Sequence, residues 1–211
     1  MSVIGVWVVG VVTDDAIAEA RRRFPVAARA HGIWPEPFDD QSQWYERLGP
    51  VGTFEVTPGQ PSRANEIALF AHAVDEVRNS APEVDAFQDH LLHTAPQQEG
   101  EDMFCAAVPR SDGAAALMWA LGLDATLRLP GCCGQFLLDA AQVRAALPAA
   151  EQALVVQLPR RADVAARVRL WLDEMADDPN RDIDELIDGP LRVLRHAART
   201  GSGAVGLTLC Y

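Results

Sequence analysis

The chain has 211 residues, 49% hydrophobic and 23% charged, with a formal net charge of −12; this length supports one full core, and the balance is that of a soluble globular protein. So acidic a surface repels phosphate backbones and anionic lipid, which argues against nucleic acid and membrane as partners. All 18 basic residues are arginine and none is lysine, which excludes Schiff-base and pyridoxal-phosphate enzymes and any catalysis that needs the P-loop or kinase lysine.

The opening "MSVIGVWVVGVVTDD" holds a continuous apolar run over 3–12 that suits a buried central strand. It lacks a basic n-region and a small-residue cleavage site, and it is too short to span a bilayer, so a cytoplasmic protein is expected. The composition, rich in Ala, Arg, Gly and Pro, resembles that of a GC-rich bacterial genome, so a bacterial source is expected. Four cysteines in such a chain are expected to be reduced thiols.

Thr13 is placed to cap a helix whose first turn carries Asp14 and Asp15, with Ile17, Ala20 and Phe24 on one face and Pro25 as a stop or kink. Residues 32–50 form an irregular aromatic loop containing Trp34, Trp44 and Tyr45, and 51–56 alternates like a short strand. Helices are expected over 61–79 and from Pro82 to about 93, followed by a flexible excursion at 94–101. "MFCAAV" (103–108) reads as a strand and "DGAAALMWALGL" as a helix, while "TLRLP" and "GQFLL" read as strand segments around a cysteine pair. Asp139 and Gln142 make a capping box ahead of the next helix. Over 160–176, Val164, Val168, Trp171, Leu172 and Met175 form one helical stripe. A last helix over 183–199 ends at Gly201, and "AVGLTLCY" closes the chain as a strand. This order predicts a single α+β domain over 1–211. Its sheet, mixed or antiparallel with about five or six strands, includes the N- and C-terminal strands and packs against helices.

Four stretches resemble chemistry. Cys132 and Cys133 lie between two glycines, but their spacing suits neither a zinc site nor a C-x-x-C redox pair; they read as a tight turn with one thiol inward and one outward, reactivity left open. Cys105 and Cys210 read as small core residues. His90 and His93, three apart on a helix with Asp89 beside them and Asp85 nearby, are the weak candidates for a metal or acid–base site, against a solvated helix terminus. Asp178, Asn180, Asp182 and Asp184 imitate the start of a calcium loop, but Ile183 and Gly189 stand where its glycine and bidentate glutamate belong. "GSGAVG" (201–206) matches a dinucleotide fingerprint in letters, yet it follows a helix and opens a strand, the reverse of the required context.

Three pieces together resemble the small bacterial YfbM-like family of uncharacterised proteins: the start "MSVIGVWVVGVVTDDAIAEA", then "FLLDAAQVRAALPAAEQAL", then the end "ELIDGPLRVLRHAARTGSGAVGLTLCY". They cover about a third of the chain and rest on apolar patterning. The resemblance implies an α+β domain and transfers no catalytic residue.

The reading favoured by these observations is a non-catalytic binding or interaction protein, immunity-like or regulatory. It would need no cofactor and would engage another protein or a small ligand through its acidic surface or through Trp34, Trp44 and Tyr45. The alternative is a small metal-assisted hydrolase built on His90 and His93 with Asp89.

Overall fold

The computed structural model describes residues 4–31, 67, 70, 71, 74, 83–96, 98–109, 112–131, 133–175 and 182–210. In chain order these form β1 (Ile4–Val12), α1 (Asp14–Arg23), α2 (Pro25–His31), α3 (Val84–Thr94), β2 (Met103–Pro109), α4 (Gly113–Leu121), α5 (Leu123–Thr126), β3 (Phe136–Leu138), α6 (Ala140–Leu154), α7 (Arg160–Glu174), α8 (Ile183–Thr200) and β4 (Gly203–Cys210). Ile67, Phe70, Ala71 and Val74 are also helical, at the spacing of one buried helix face. The fold is α+β. No helix among the described residues is long and apolar enough to cross a membrane.

The four strands make one antiparallel sheet in the order β2-β1-β4-β3. β1 and β4 are its central pair, in register from Gly5↔Cys210 to Val12↔Gly203. A central strand covered on both faces has no polar side, which is why β1 and β4 are almost continuously apolar. Alternation divides their side chains. Trp7, Val9 and Ala204 join Phe104, Ala106 and Val108 of β2 in a core shared with α4, α6, α7 and α8. Val12, Leu137, Val205 and Leu207 point the other way, onto Ile17 and Ala20 of α1, Ala27 and Ala28 of α2, and Phe87 and Leu91 of α3.

Several expectations need correction. Four strands are found among the described residues where five or six were expected, and the 51–56 segment lies outside them. "TLRLP" is no strand. It ends α5 and continues into turns, because the Thr126 hydroxyl donates to the carbonyls of Met118 (3.1 Å) and Gly122 (2.8 Å) and tucks the segment against the end of α4. Cys105 is only half-buried, on the face of β2 that also leaves Ala107 exposed, while Phe104, Ala106 and Val108 on its other face are buried in the core. Most of the expected 61–79 helix and the aromatic loop with Trp34, Trp44 and Tyr45 lie outside the described residues.

Local capping fixes the helix starts. The Thr13 hydroxyl accepts from Ala16 N, Asp112 from Ala115 N, and Asp182 from Glu185 N. Asp139 has the full capping box: its carboxylate accepts from Gln142 N and the Gln142 side chain accepts from Asp139 N, both at 3.0 Å. Arg21 of α1 reaches the same box, donating to Asp139 Oδ2 (3.2 Å) and Gln142 Oε1 (2.7 Å). Burial tends to raise the Asp139 carboxyl, but the Gln142 amide and Arg21 outweigh it and hold it below its ordinary value of 3.8. A lowered folded-state value means the stabilisation is full above 3.8 and is lost as pH falls through the lower folded value. Asp139→Ala is therefore expected to cost about 1–2 kcal/mol at neutral pH. In urea titrations its deficit relative to wild type should shrink once the pH falls below 3.8.

The cysteine-pair turn closes on the sheet. Gly131, Cys133 and Gly134 all have positive φ (70°, 48° and 82°), and the Gly134 carbonyl accepts from the Trp7 indole N–H at 3.2 Å. A Cβ at Gly134 would come within 2.5 Å of Ala114 Cβ, so glycine is needed there for close approach as well as conformation. Cys133 is 2% exposed and belongs to the core, while Cys132 lies outside the described residues.

Candidate functional site

One face of α8 carries Asp188, Leu191, Arg192, Arg195 and Arg199, at the three- and four-residue steps that bring side chains into one row. With Leu154 at the end of α6, the connecting residues Val155 and Val156, Arg161 in the first turn of α7 and Glu101 ahead of β2, this row lines a solvent-open cleft of about 470 Å³. Leu154, Val155, Val156 and Leu191 give the cleft an apolar floor. Leu158, three residues beyond Val155 in the chain, is 80% exposed.

The four arginines are held to different degrees. Arg161 uses four of its five N–H donors on two carboxylates: Nε and Nη2 donate to Asp184 Oδ1 (3.1 and 2.6 Å), and Nη1 and Nη2 to Asp188 (2.9 and 2.8 Å). Its hydrogen bonds to the Asp188 and then the Asp184 carboxylate raise its guanidinium pKa further. Arg192 makes a two-pronged pair with Glu185 at 2.8 and 2.7 Å and donates from Nε to the Gly100 carbonyl at 3.1 Å. These two arginines tie α7, α8 and the segment before β2 together, and the second holds part of the 94–101 stretch against α8.

Arg195 and Arg199 are open. Among the described residues Arg195 donates from Nε alone, to Glu151 Oε1 at 2.8 Å. Arg199 donates only from Nη2, to Glu101 Oε2 at 2.6 Å, with His196 Nδ1 3.1 Å away. Among the described residues the remaining N–H groups, Nη1 and Nη2 of Arg195 and Nε and Nη1 of Arg199, have no hydrogen-bond partner. His196 Nδ1 also lies 3.1 Å from Glu101 Oε2. The hydrogen bond from His196, then the charge of Arg199, hold the Glu101 carboxyl below the usual range. The cleft therefore offers guanidinium donors one helical turn apart above an apolar floor, an arrangement that binds oxyanions bearing an apolar body.

The residues singled out from sequence lie elsewhere. His90 and His93 are on α3, over the opposite face of the sheet. The His90 ring packs 5.6 Å from Phe24, with Nε2 buried and without a hydrogen-bond partner among the described residues. His93 is exposed, its Nδ1 2.6 Å from the Asp89 carbonyl, so that nitrogen faces its own helix backbone. Asp89 thus meets His93 through its backbone oxygen. Among the described residues no group of three or more His, Cys, Asp or Glu side chains is arranged to hold a metal ion. Asp182 caps α8 and Asp184 pairs with Arg161, while Asp178 and Asn180 lie outside the described residues. Gly201 (φ 68°) is the left-handed cap of α8, and Gly203 opens β4.

The arginine row of α8 went unremarked in the sequence because arginines at helical spacing usually describe a solvated face. Its signal was available: Arg192, Arg195 and Arg199 recur at steps of three and four on the helix that carries Leu191 and Leu194 inward. The partners that make it a site, Glu101 and Glu151, come from distant parts of the chain. Compared with family models, curated proteins and solved structures, the chain matches none.

Proposed function

We propose that this is a non-catalytic binding protein that takes an anionic ligand in the arginine cleft of α8. The observation that carries the reading is the set of uncommitted guanidinium donors on Arg195 and Arg199, directed to a concave site with an apolar floor. Unused charged donors beside apolar surface favour recognition of a negative group attached to an apolar body, and arginine suits it because its fork stays charged at any physiological pH. The four guanidiniums are matched by Glu101, Glu151, Asp184, Glu185 and Asp188, so the cleft would draw an anion through its unused N–H donors rather than through a net positive charge. The resemblance of three sequence pieces to the YfbM-like family assigns no role to the residues of this site, although the third piece carries Arg192, Arg195 and Arg199.

The test is calorimetric titration of the full chain with octanoate, octyl phosphate and octylammonium. Anions should bind and octylammonium should not. The double variant Arg195→Gln/Arg199→Gln should weaken anion binding about tenfold or more, the usual scale for charge-assisted hydrogen bonds. Anion affinities that ignore the double substitution would place the site elsewhere.

A further inference from the structure

We propose that the ligand of this cleft is a monocarboxylate with an apolar tail, and that Glu101 is an internal competitor that the ligand displaces. The proposal rests on the binding reading above and adds to it the class of ligand and the means of its control.

A carboxylate of the protein already occupies part of the site. Glu101 Oε2 lies 2.6 Å from Arg199 Nη2 and 3.1 Å from His196 Nδ1, so the local geometry accepts a planar carboxylate. The Glu101 side chain is 68% exposed, and an ion pair so accessible to water contributes little, so exchanging it for another carboxylate costs little. Its backbone does not have to move. On one side the Gly100 carbonyl is held by Arg192 Nε at 3.1 Å; on the other, the Asp102 carbonyl accepts from Val11 N of the sheet at 2.9 Å. Only the side chain need swing outward.

An incoming carboxylate gains what Glu101 leaves unused. It can take the Arg199 position and also reach the terminal nitrogens of Arg195, one turn back along α8 and free of other partners among the described residues. Its tail then covers Leu154, Val155, Val156 and Leu191. Each methylene so buried adds about 0.8 kcal/mol before the entropy of ordering the tail is subtracted. The same surroundings favour one negative charge over two. The carboxylates Glu101, Glu151, Asp184, Glu185 and Asp188 outnumber the four arginines they pair with, so a second negative charge on the ligand gains no net attraction there.

The experiment adds Glu101→Ala and Glu101→Gln to the titrations of the full-length chain. Removing the competitor should tighten octanoate binding about twofold to fivefold, the value of an exposed ion pair. The glutamine variant, which keeps the shape and loses the charge, should move in the same direction. Wild type should prefer octanoate to octyl phosphate. If binding depends on Arg195 and Arg199 but neither Glu101 variant tightens it, the competitor is wrong and the binding cleft stands. Arginine-dependent binding that favours octyl phosphate overturns the monocarboxylate assignment alone. If octanoate and octyl phosphate fail to bind both wild type and the Glu101 variants, or bind without regard to the arginines, the cleft reading falls and this inference with it.

Discussion

Removal of residues 204–211 is expected to leave a chain that does not fold cooperatively, although only the last strand is lost. β4 is not a tail laid on an edge. It lies between β1 and β3, and both neighbours hydrogen-bond to it. Ala204, Val205, Leu207 and Leu209 are buried. Val205 and Leu207 help close the core beneath α1, α2 and α3, while Ala204 faces the core on the other side. At about 1.5–3 kcal/mol for each large apolar side chain, together with the lost ladder, the deficit is comparable to the whole stability of a domain, about 5–15 kcal/mol. The truncated chain would also expose the valine-rich edge of β1 to other chains, so aggregation should accompany unfolding. A full-length counterpart is Gly206→Val. A Cβ at Gly206 would fall on the Gly134 carbonyl oxygen and lie within 2.6 Å of the Phe136 ring, so the strand cannot carry a side chain there without separating from β3. Circular-dichroism melts and size-exclusion chromatography check both. A soluble, monomeric truncation with a cooperative transition would mean that the sheet closes without β4.

The parts of this fold that were legible in sequence are those in which local chemistry and tertiary packing agree. β1 is a long apolar run because both its faces are covered; Thr13 and the Asp139–Gln142 pair cap helices because their side chains reach backbone amides three residues on. Of the expected stripe, Val164, Val168, Trp171 and Leu172 on α7 are buried as the period implies, while Met175 caps the helix and is only half-buried. Legibility ended where tertiary contacts decide. The apolar alternation of "TLRLP" suits a strand as well as a helix end, and the Thr126 hydroxyl bonds that settle it reach carbonyls on the preceding turn and helix. Cys105 follows its strand's pattern, but its burial depends on what covers that face of β2, and face coverage is not written in any local window. The site shows the same limit more strongly. His90 and His93 were conspicuous because spacing is visible in a sequence. The Arg195–Glu151 and Arg199–Glu101 pairs were not, because they join residues that only folding brings together.

Trp171→Ala should be the most destabilising of the single core truncations on the helical side. Trp171 is fully buried, with its ring edge-on to Phe70 at 5.8 Å and tilted against Trp119 at 5.9 Å. α7 packs chiefly on α4 rather than on the sheet, so Trp171 is the wedge that couples an outer helix to an inner one. Its loss should cost about 3–5 kcal/mol, since two aromatic contacts vanish and rigid neighbours cannot fill the space. For a chain of this size that is a fall in Tm of roughly 6–20 °C. Trp171→Phe keeps one ring in the gap and should lose markedly less. Because the first turn of α7 is fixed separately by Arg161 on Asp184 and Asp188, the cleft end should outlast the core end. Below its lowered transition, Trp171→Ala is therefore expected to retain anion binding within about threefold of wild type, roughly the 0.5 kcal/mol spread usual for independent sites. Calorimetric melts and the octanoate titration check both halves of the expectation. A Tm within a few degrees of wild type would show that α7 is an appendage rather than part of the core. Loss of binding with the fold intact would show that the cleft depends on the register of the whole helix and not on its anchored first turn.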